Sequence, residues 1–237
     1  MDQRLENEIA HGRQIASYAE EAWGWEGAIG KLRWKRRVEM LCSGLRPGAR
    51  VLEVGCGTGL LTEEIAKRGV KVYSLDISHE LLKKAAGKSG NKEIVFLCSS
   101  AYELGFADSV FDNIIGMSVL HHLDMDRALA EFYRILKKGG RIAFSEPNML
   151  NPHIFCERHF FFFFFHNSPD ETAFVRFALK RQLRERGFTG IEIAPFDFLY
   201  PKIPDSLAQK ADGLLRAFEK IPLVSEIAGS LFIRAVK

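Results

Sequence analysis

Short β-rich runs and helical stretches alternate through the middle of the sequence, from Val51 to about Ser145. RVLEVG is followed by the helical stretch LLTEEIAKRG, VKVYSLD by HELLKKAAGK, and FDNIIGMS by DRALAEFYRILKKGG. Because parallel neighbouring strands need crossover connections, this alternation predicts an α/β fold, a doubly wound sheet with helices on both faces. Ligands of such sheets bind at the carboxyl ends of the strands, so that edge is where functional residues are expected.

The segments on either side of the alternating block have different patterns. Residues 1–44 are helical in pattern, with one helix expected over RQIASYAEEAW and another over KLRWKRRVEMLCSGL, and predict an N-terminal helical cap. Residues 45–237 are predicted to form the sheet domain, with helical lid insertions at about 149–170 and 199–228. The organisation expected is therefore one α/β domain with helices added at three places.

Composition and charge argue against several classes of protein. With 237 residues and 47% hydrophobic content, the chain can bury a sizeable core. A net charge of +3 gives little reason to expect a polyanionic partner, so no nucleic acid is predicted. The four cysteines lack a metal-ligand spacing and are interpreted as reduced thiols. Neither a secretory signal pattern nor an apolar run of roughly 18 residues is found, which favours the cytoplasm.

Three glycines stand at alternate positions where the first strand turns into a helix. Gly55, Gly57 and Gly59 allow positive φ angles and bring bare backbone and a helix N-terminus against a ligand. A dinucleotide site needs G-x-G-x-x-G/A, and here Leu60 occupies the sixth place, so the spacing disfavours NAD. Glu53 would repel a pyrophosphate but suits a ligand with an ammonium or sulfonium charge. S-adenosylmethionine carries both charges.

The stretch VLEVGCGTG resembles the first motif of the class I S-adenosylmethionine-dependent methyltransferases. The resemblance continues through VYSLDIS, FADSVFDNIIGMSVLHHL and RILKKGGRIAFSEPN, and so covers roughly residues 46–148. It is closest to the small-molecule branch that includes ubiquinone and menaquinone biosynthesis enzymes. The resemblance implies a Rossmann-like, seven-stranded sheet with an antiparallel last strand. It also implies methyl transfer from S-adenosylmethionine to a small, partly apolar acceptor, without a metal.

The resemblance also implies which residues hold the cofactor. Asp76 ends the second strand, where its carboxylate suits both ribose hydroxyls, and Ile77 would lie against adenine. Where the family usually has an aspartate for the adenine amino group, this sequence has Ser100 followed by Ala101, and a serine hydroxyl can accept that bond. Met117 either packs beneath the methionine moiety or fills the core. The predicted cofactor-binding residues are Glu53, Gly55, Cys56, Gly57, Gly59, Asp76, Ile77, Ser100, Ala101 and Met117.

Two histidines follow the fourth strand at the same rim as the glycines. A base is needed only if the accepting atom loses a proton, as in oxygen and some carbon methylations. Adjacent helical side chains point about 100 degrees apart, so at most one of the pair is expected to face the ligand. His121 is the predicted base, and His122 is the weaker candidate. The alternative is that LHHL only caps and packs a helix.

Six consecutive phenylalanines, Phe160 to Phe165, have no amphipathic period. They are predicted to form a lid with an apolar inner face over the acceptor. Peripheral contact with a membrane or a partner, or a plug between lid and sheet, are the alternatives. Beyond the phenylalanines, a capping box at Ser168 predicts a helix that continues to Gly187.

The N-terminal region combines a basic run with three tryptophans. Five of the seven residues from Lys31 to Arg37 are basic. A solvated helix face is the favoured interpretation, and a contact with an acceptor phosphate or carboxylate, or with an anionic membrane, is the alternative. Trp23, Trp25 and Trp34 either complete the cover of the site or pack in the ordinary way.

Three other functions remain open from the sequence. An RNA or DNA methyltransferase would have a strongly basic surface or an added binding domain, and neither is evident. A protein that binds S-adenosylmethionine without catalysis is favoured only by the departure at Ser100. An NAD-dependent dehydrogenase is disfavoured by the glycine spacing. The sequence predicts no oligomeric state.

Overall fold

The computed structural model describes residues 3–160, 173–200 and 204–237, and their centre is one sheet of seven strands. In chain order the strands are β1 (Arg50–Val54), β2 (Lys71–Asp76), β3 (Ile94–Cys98), β4 (Phe111–Met117), β5 (Leu136–Pro147), β6 (Thr189–Phe196) and β7 (Ser230–Val236). They lie in the order β3-β2-β1-β4-β5-β7-β6. Strands β1 to β5 are parallel, and β7 is antiparallel to both β5 and β6. The predicted α/β fold with an antiparallel last strand is confirmed.

Helices precede the sheet, connect its strands and follow β5 and β6. Those before the sheet are α1 (Gln3–Ile15), α2 (Ala19–Ala22) and α3 (Ala28–Leu41). The crossovers contain α4 (Leu60–Ala66), α5 (His79–Lys88) and α6 (Met125–Ile135), and the later helices are α7 (Pro152–Phe160), α8 (Arg176–Glu185) and α9 (Ala208–Phe218). Among the described residues, no helix has the length and apolar character needed to cross a bilayer.

Strand β1 shows how the sequence places the core on both faces of the sheet. Leu52 and Val54 belong to a large apolar cluster with α6 residues such as Phe132. Val51 points to the other face, into a second cluster with α3 and α4 residues. Both faces are buried, so the strand is apolar except for Glu53 and for the exposed Arg50 at its start. A carboxylate within a buried parallel strand needs a specific reason to be there.

The N-terminal cap is divided where the sequence predicts one helix over RQIASYAEEAW. Helix α1 ends at Ile15, and α2 begins only at Ala19. The Lys84 ammonium on α5 donates to the Ala16 carbonyl, and the Tyr18 amide turns back to Ile15. The chain therefore makes a turn here, since an anchored Ala16 carbonyl competes with continuation of the helix.

Two other predicted helix boundaries are also wrong. The helix expected through LKKGG ends at Ile135, because Leu136 already pairs with Phe111 at the start of β5. The helix expected to follow the capping box begins only at Arg176 in the described part of the chain. Phe174 is buried and forms a bridge to Asn148 instead. In both places sheet pairing and burial outweigh helix propensity.

Candidate functional site

The glycine corner leaves β1 with left-handed backbone at each of its three glycines. A Cβ atom added to Gly55 would lie 2.5 Å from Cγ2 of Val119, and one added to Gly57 would lie 2.7 Å from the Trp23 ring. The φ angles are +69° and +53°. Any side chain at these positions would therefore be both strained and obstructed.

A cavity of about 700 Å³ opens at the carboxyl ends of β1, β2 and β4. This volume lies within the range of about 300–1,000 Å³ found for small-molecule sites. Nine predicted site residues line it: Glu53, Gly55, Cys56, Gly57, Asp76, Ile77, Ala101, Met117 and His121. The structure thus brings together residues that are up to 68 positions apart in the sequence.

Two predicted cofactor-binding residues are not in the cavity wall. Gly59 is the N-cap of α4, and an added Cβ there would lie 2.9 Å from Cβ of Ala85 on α5, so this glycine allows close packing of helices. The Ser100 hydroxyl accepts a hydrogen bond from the Tyr102 amide, at 3.2 Å, and its neighbour Ser99 lines the cavity. Of the two serines, Ser99 therefore lines the cavity and Ser100 does not.

Glu53 is a buried acid with one satisfied oxygen. Its Oε2 atom accepts hydrogen bonds from the hydroxyls of Thr62, at 2.5 Å, and Ser74, at 2.7 Å. Its Oε1 atom is buried without a hydrogen-bond partner among the described residues. Burial raises the pKa of Glu53 to about 7. A cationic ligand group near Oε1 would favour the ionised form and satisfy the orphaned oxygen.

Asp76 holds the glycine corner in place. Its Oδ2 atom accepts from the Gly57 amide and its Oδ1 atom from the Ser78 amide, each at 2.8 Å. Burial raises the pKa of this carboxyl group. Each oxygen retains a lone pair, so the same carboxylate can still accept hydroxyl donors from a ligand. The part of the cavity around Glu53, Gly57 and Asp76 is the glycine end.

His121 is held by a residue that the sequence interpretation missed. Its Nδ1 atom lies 2.7 Å from Oε2 of Glu146, at the end of β5, and both side chains are buried. The other oxygen of Glu146 accepts from the amides of Val119, at 3.0 Å, and Leu120, at 2.9 Å. An acceptor oxygen facing Nδ1 favours the tautomer with a proton on Nδ1. The sequence does show Glu146 at the end of an apolar strand, β5, which pairs with β4, and this pattern could have identified it.

The expectation that only one histidine faces the site is wrong, because His121 and His122 both line the cavity. They lie in a 3-10 turn, Leu120–His122, with ring centroids 4.2 Å apart. The tighter turn and the flanking irregular backbone replace the helical geometry behind the expectation. The Nδ1 atom of His122 lies 3.0 Å from Oε2 of Glu8 of α1, so an N-terminal helix also contributes to this wall.

The basic run of α3 is not a solvated face. Arg37 is 3% exposed and donates to Asp197 and to the Ser230 hydroxyl, both at 2.7 Å. Arg33 also reaches Asp197, at 2.8 Å, and Arg36 pairs with Glu219 at 2.6 Å. The favoured interpretation of this run is therefore wrong for its arginines. The sequence analysis did not identify Asp197, which directly follows β6, as the partner of Arg33 and Arg37.

The far side of the cavity is aromatic. Trp25 and Trp34 line it, as do residues of α7 such as His153, whereas Trp23 lines the cavity beside Gly57. The Phe160 to Phe165 run enters the structure only where α7 ends, and its positions 161–165 lie outside the described residues. The predicted phenylalanine lid and the capping box at Ser168 are in that undescribed segment.

Residues 52–144 match the methyltransferase domain family. The chain is similar to a demethylmenaquinone methyltransferase of Renibacterium salmoninarum, with 37% identity over 120 residues, which are 50% of each chain. It is also similar to a ubiquinone/menaquinone biosynthesis C-methyltransferase, UbiE, of Vibrio vulnificus, with 39% identity over 132 residues, 51% of this chain and 50% of the relative. The chain thus spans about half the length of the curated relatives it matches.

Solved structures share the fold over nearly the whole chain. The putative methyltransferase in complex with the Trm112 activator from Haloferax volcanii aligns with a TM-score of 0.70 and 19% identity, covering 98% of this chain and 97% of that one. The N-methyltransferase NodS of Bradyrhizobium japonicum, solved with S-adenosylhomocysteine, aligns with a TM-score of 0.64 and 17% identity, covering 99% and 97%. Residues 52–144 thus match the methyltransferase domain family, and the fold around them is the one that these solved structures share.

Proposed function

We propose that this protein transfers a methyl group from S-adenosylmethionine to a small, partly apolar acceptor. The observation that carries the proposal is the glycine end, where a buried carboxylate has an unsatisfied oxygen beside bare left-handed backbone. That combination suits a ligand with cationic groups and a close backbone approach. The family of residues 52–144 and a fold neighbour solved with S-adenosylhomocysteine support the same cofactor.

The residues proposed to hold the cofactor are those predicted from the sequence that line the cavity. Glu53 would attract the cationic end, Asp76 would accept the ribose hydroxyls, and Ile77 and Ala101 would flank the adenine. Met117 lines the cavity and also packs against the second apolar cluster, so it can serve both roles predicted for it. Helices α1 to α3 are proposed to cap the site, because all three contribute to its wall.

When bound, S-adenosylmethionine supplies a sulfonium-activated methyl carbon that passes to the acceptor as the sulfur becomes a neutral thioether. The work of the protein is alignment and exclusion of water. His121 is proposed to take the proton that an oxygen or ring-carbon acceptor releases, through Nε2, while Glu146 holds Nδ1. Glu146 is then a positioning residue, fixed by two backbone amides.

The acceptor is proposed to be a hydroxylated aromatic ring. The curated relatives carry names that refer to quinone biosynthesis, and the far side of this cavity is lined by aromatic side chains. Aromatic walls favour a flat, apolar ligand.

A labelled methyl donor tests the proposal. The protein would be incubated anaerobically with methyl-labelled S-adenosylmethionine and 1,4-dihydroxynaphthalene, and products separated by polarity. Label in an apolar product is expected. His121→Asn should slow transfer about 100-fold or more while S-adenosylhomocysteine binding persists. His79→Asn, at an exposed histidine of α5, is the matched control and should transfer at the normal rate. Label from a cell extract found only in products without an aromatic ring would contradict the proposed acceptor.

A further inference from the structure

Two arginines of α3 share a single carboxylate oxygen. Arg33 Nε and Arg37 Nη2 both donate to Oδ2 of Asp197, at 2.8 and 2.7 Å. The other oxygen of Asp197 accepts from the Leu199 amide. Burial raises the pKa of Asp197, but the opposing effect of Arg37 and Arg33 is larger, so the pKa is lowered and the group stays ionised. Two guanidinium charges therefore face one carboxylate charge.

The two arginines differ in how many of their N–H donors are already used within the protein. Arg37 is almost fully buried and also donates to the Arg33 carbonyl and to Ser230. The Arg33 side chain is 20% exposed and lines the cavity, and only its Nε atom is used. Its two Nη atoms have no hydrogen-bond partner in the described part of the chain. They form a planar fork of donors that matches the two oxygens of a carboxylate.

Aromatic and apolar side chains surround this fork. The Arg33 guanidinium lies 5.8 Å from the centroid of Trp25, and the Trp25 and Trp34 rings meet edge to face at 5.4 Å. Phe198 and Leu199 line the same part of the cavity. A cation beside apolar walls is less screened than one in open solvent, so an anion bound there is held more strongly.

Other charged groups of this part of the cavity do not cancel the excess positive charge of Arg33 and Arg37 over Asp197. Helix α7 adds Glu157 and Arg158 to the wall, together with His153, which lies 3.9 Å from the Glu157 carboxylate. Among the described residues that line this end of the cavity, three guanidiniums (Arg33, Arg37 and Arg158) then stand against two carboxylates (Glu157 and Asp197). The part of the cavity around Arg33, Arg37 and Asp197 is the arginine end.

We propose that Arg33 binds a carboxylate carried by the aromatic methyl acceptor, with Trp25 and Trp34 packed against the ring. This inference rests on the proposed methyl transfer, since it assigns the acceptor of that same cavity. A carboxylate uses both free Nη donors of Arg33, whereas a phenolic oxygen offers only one acceptor atom. The acceptor class is thus an aromatic acid.

A matched pair of probes tests the inference. Binding of 2-naphthoate and of its neutral isostere 2-naphthamide would be measured by tryptophan fluorescence, with S-adenosylhomocysteine present. Wild-type protein should bind the carboxylate about 10- to 100-fold more tightly than the amide. Arg33→Gln should abolish that preference, and Arg33→Lys should keep only part of it, because a point charge lacks the planar fork. Lys35→Gln, at an exposed position of the same helix, should leave it unchanged.

Binding of S-adenosylhomocysteine to each variant separates the two proposals. Stabilisation of Arg33→Gln by this ligand should equal that of the wild type, and it also reports a folded site. Loss of that stabilisation in Arg33→Gln alone would assign Arg33 to the cofactor and overturn the inference. Equal wild-type affinity for the two probes, or a preference that survives Arg33→Gln, would overturn it as well. If S-adenosylhomocysteine fails to stabilise even the wild type, the proposed methyl transfer fails instead.

Discussion

The glycine end and the arginine end of the cavity compensate buried carboxylates in different ways. At the glycine end, the carboxylates of Glu53 and Asp76 are met by hydroxyls and backbone amides, and burial raises both pKa values. At the arginine end, Asp197 is met by full positive charges, and its pKa is lowered. Neutral donors leave negative charge uncompensated, and paired guanidiniums leave positive charge uncompensated.

Because of this difference, the two ends of the cavity favour ligand groups of opposite charge. A ligand with a cationic group is favoured at one end, and a ligand with an anionic group at the other. Methyl transfer from a sulfonium donor needs two different ligands bound side by side, and opposite charge at the two ends would keep each in its own place. The histidines of the 3-10 turn line the same cavity. Changing the charge at either end should therefore have different consequences for stability and for binding.

Removal of the carboxylate at the arginine end should have the largest effect on stability. Asp197 has φ of +74°, a conformation that asparagine tolerates, so Asp197→Asn removes charge without new backbone strain. The buried guanidinium of Arg37 and the partly exposed one of Arg33 would lose their anion, at a cost of about 3–5 kcal/mol in the free energy of unfolding. Urea denaturation measures the loss. Asp212→Asn in the more exposed pair with Arg216 should cost about 1 kcal/mol or less, and equal losses would contradict the comparison.

A side chain at the glycine corner should have the next largest effect. Gly55→Ala forces alanine into left-handed backbone, at about 1–2 kcal/mol, and against Val119, at about 1–3 kcal/mol more. Stabilisation by S-adenosylhomocysteine in a thermal melt should be lost. Gly87→Ala is the control, because an added Cβ meets nothing within 4 Å in α5 and should stabilise the fold by about 0.5–1 kcal/mol. Retained ligand stabilisation in Gly55→Ala would show that the corner does not approach the ligand.

Neutralising the acid at the glycine end should improve stability and weaken binding. The pKa of Glu53 is raised to about 7, so the folded state holds this proton longer than the unfolded state. Stability of the wild type should therefore fall as the pH rises from about 4.5 to 7. Glu53→Gln should lack this loss and be more stable by about 2–3 kcal/mol at pH 8, while binding S-adenosylhomocysteine more weakly. Parallel stability curves of the two proteins against pH would contradict the assignment.

The glycine end was predictable from the sequence and the arginine end was not, for a physical reason. The glycine corner is local: strand, bare turn and helix follow one another, and Asp76 ends the next strand. The arginine end depends on Asp197, which is 160 positions from Arg37, at the far end of β6. A basic run such as Lys31 to Arg37 shows the same sequence pattern whether its partners are water or a distant acid.

The same distinction applies to the fold and to the histidines. The parallel strands β1 to β5 followed from alternation, whereas the ends of α1 and α6 depended on contacts made by Lys84 and Phe111. For His121, the motif indicated the residue, but its partner Glu146 lies on the neighbouring strand. Local patterns predict elements and corners. Pairing across the sheet decides boundaries and partners.

The smallest predicted effect concerns the hydroxyls beneath Glu53. Thr62→Val keeps the shape of a fully buried side chain and removes one of the two donors to Oε2. At pH 8, where Glu53 is largely ionised, the loss should be about 1–2 kcal/mol, and at pH 5.5 it should be smaller because the protonated acid needs that donor less. The pKa of Glu53 should rise further, so binding of S-adenosylhomocysteine should strengthen only at higher pH than in the wild type. Thr189→Val, at an exposed threonine of β6, should show no such dependence on pH. Equal destabilisation by Thr62→Val at both pH values would show that the hydroxyl contributes through packing and not through its hydrogen bond to Glu53. The charge of the glycine end would then depend on other residues.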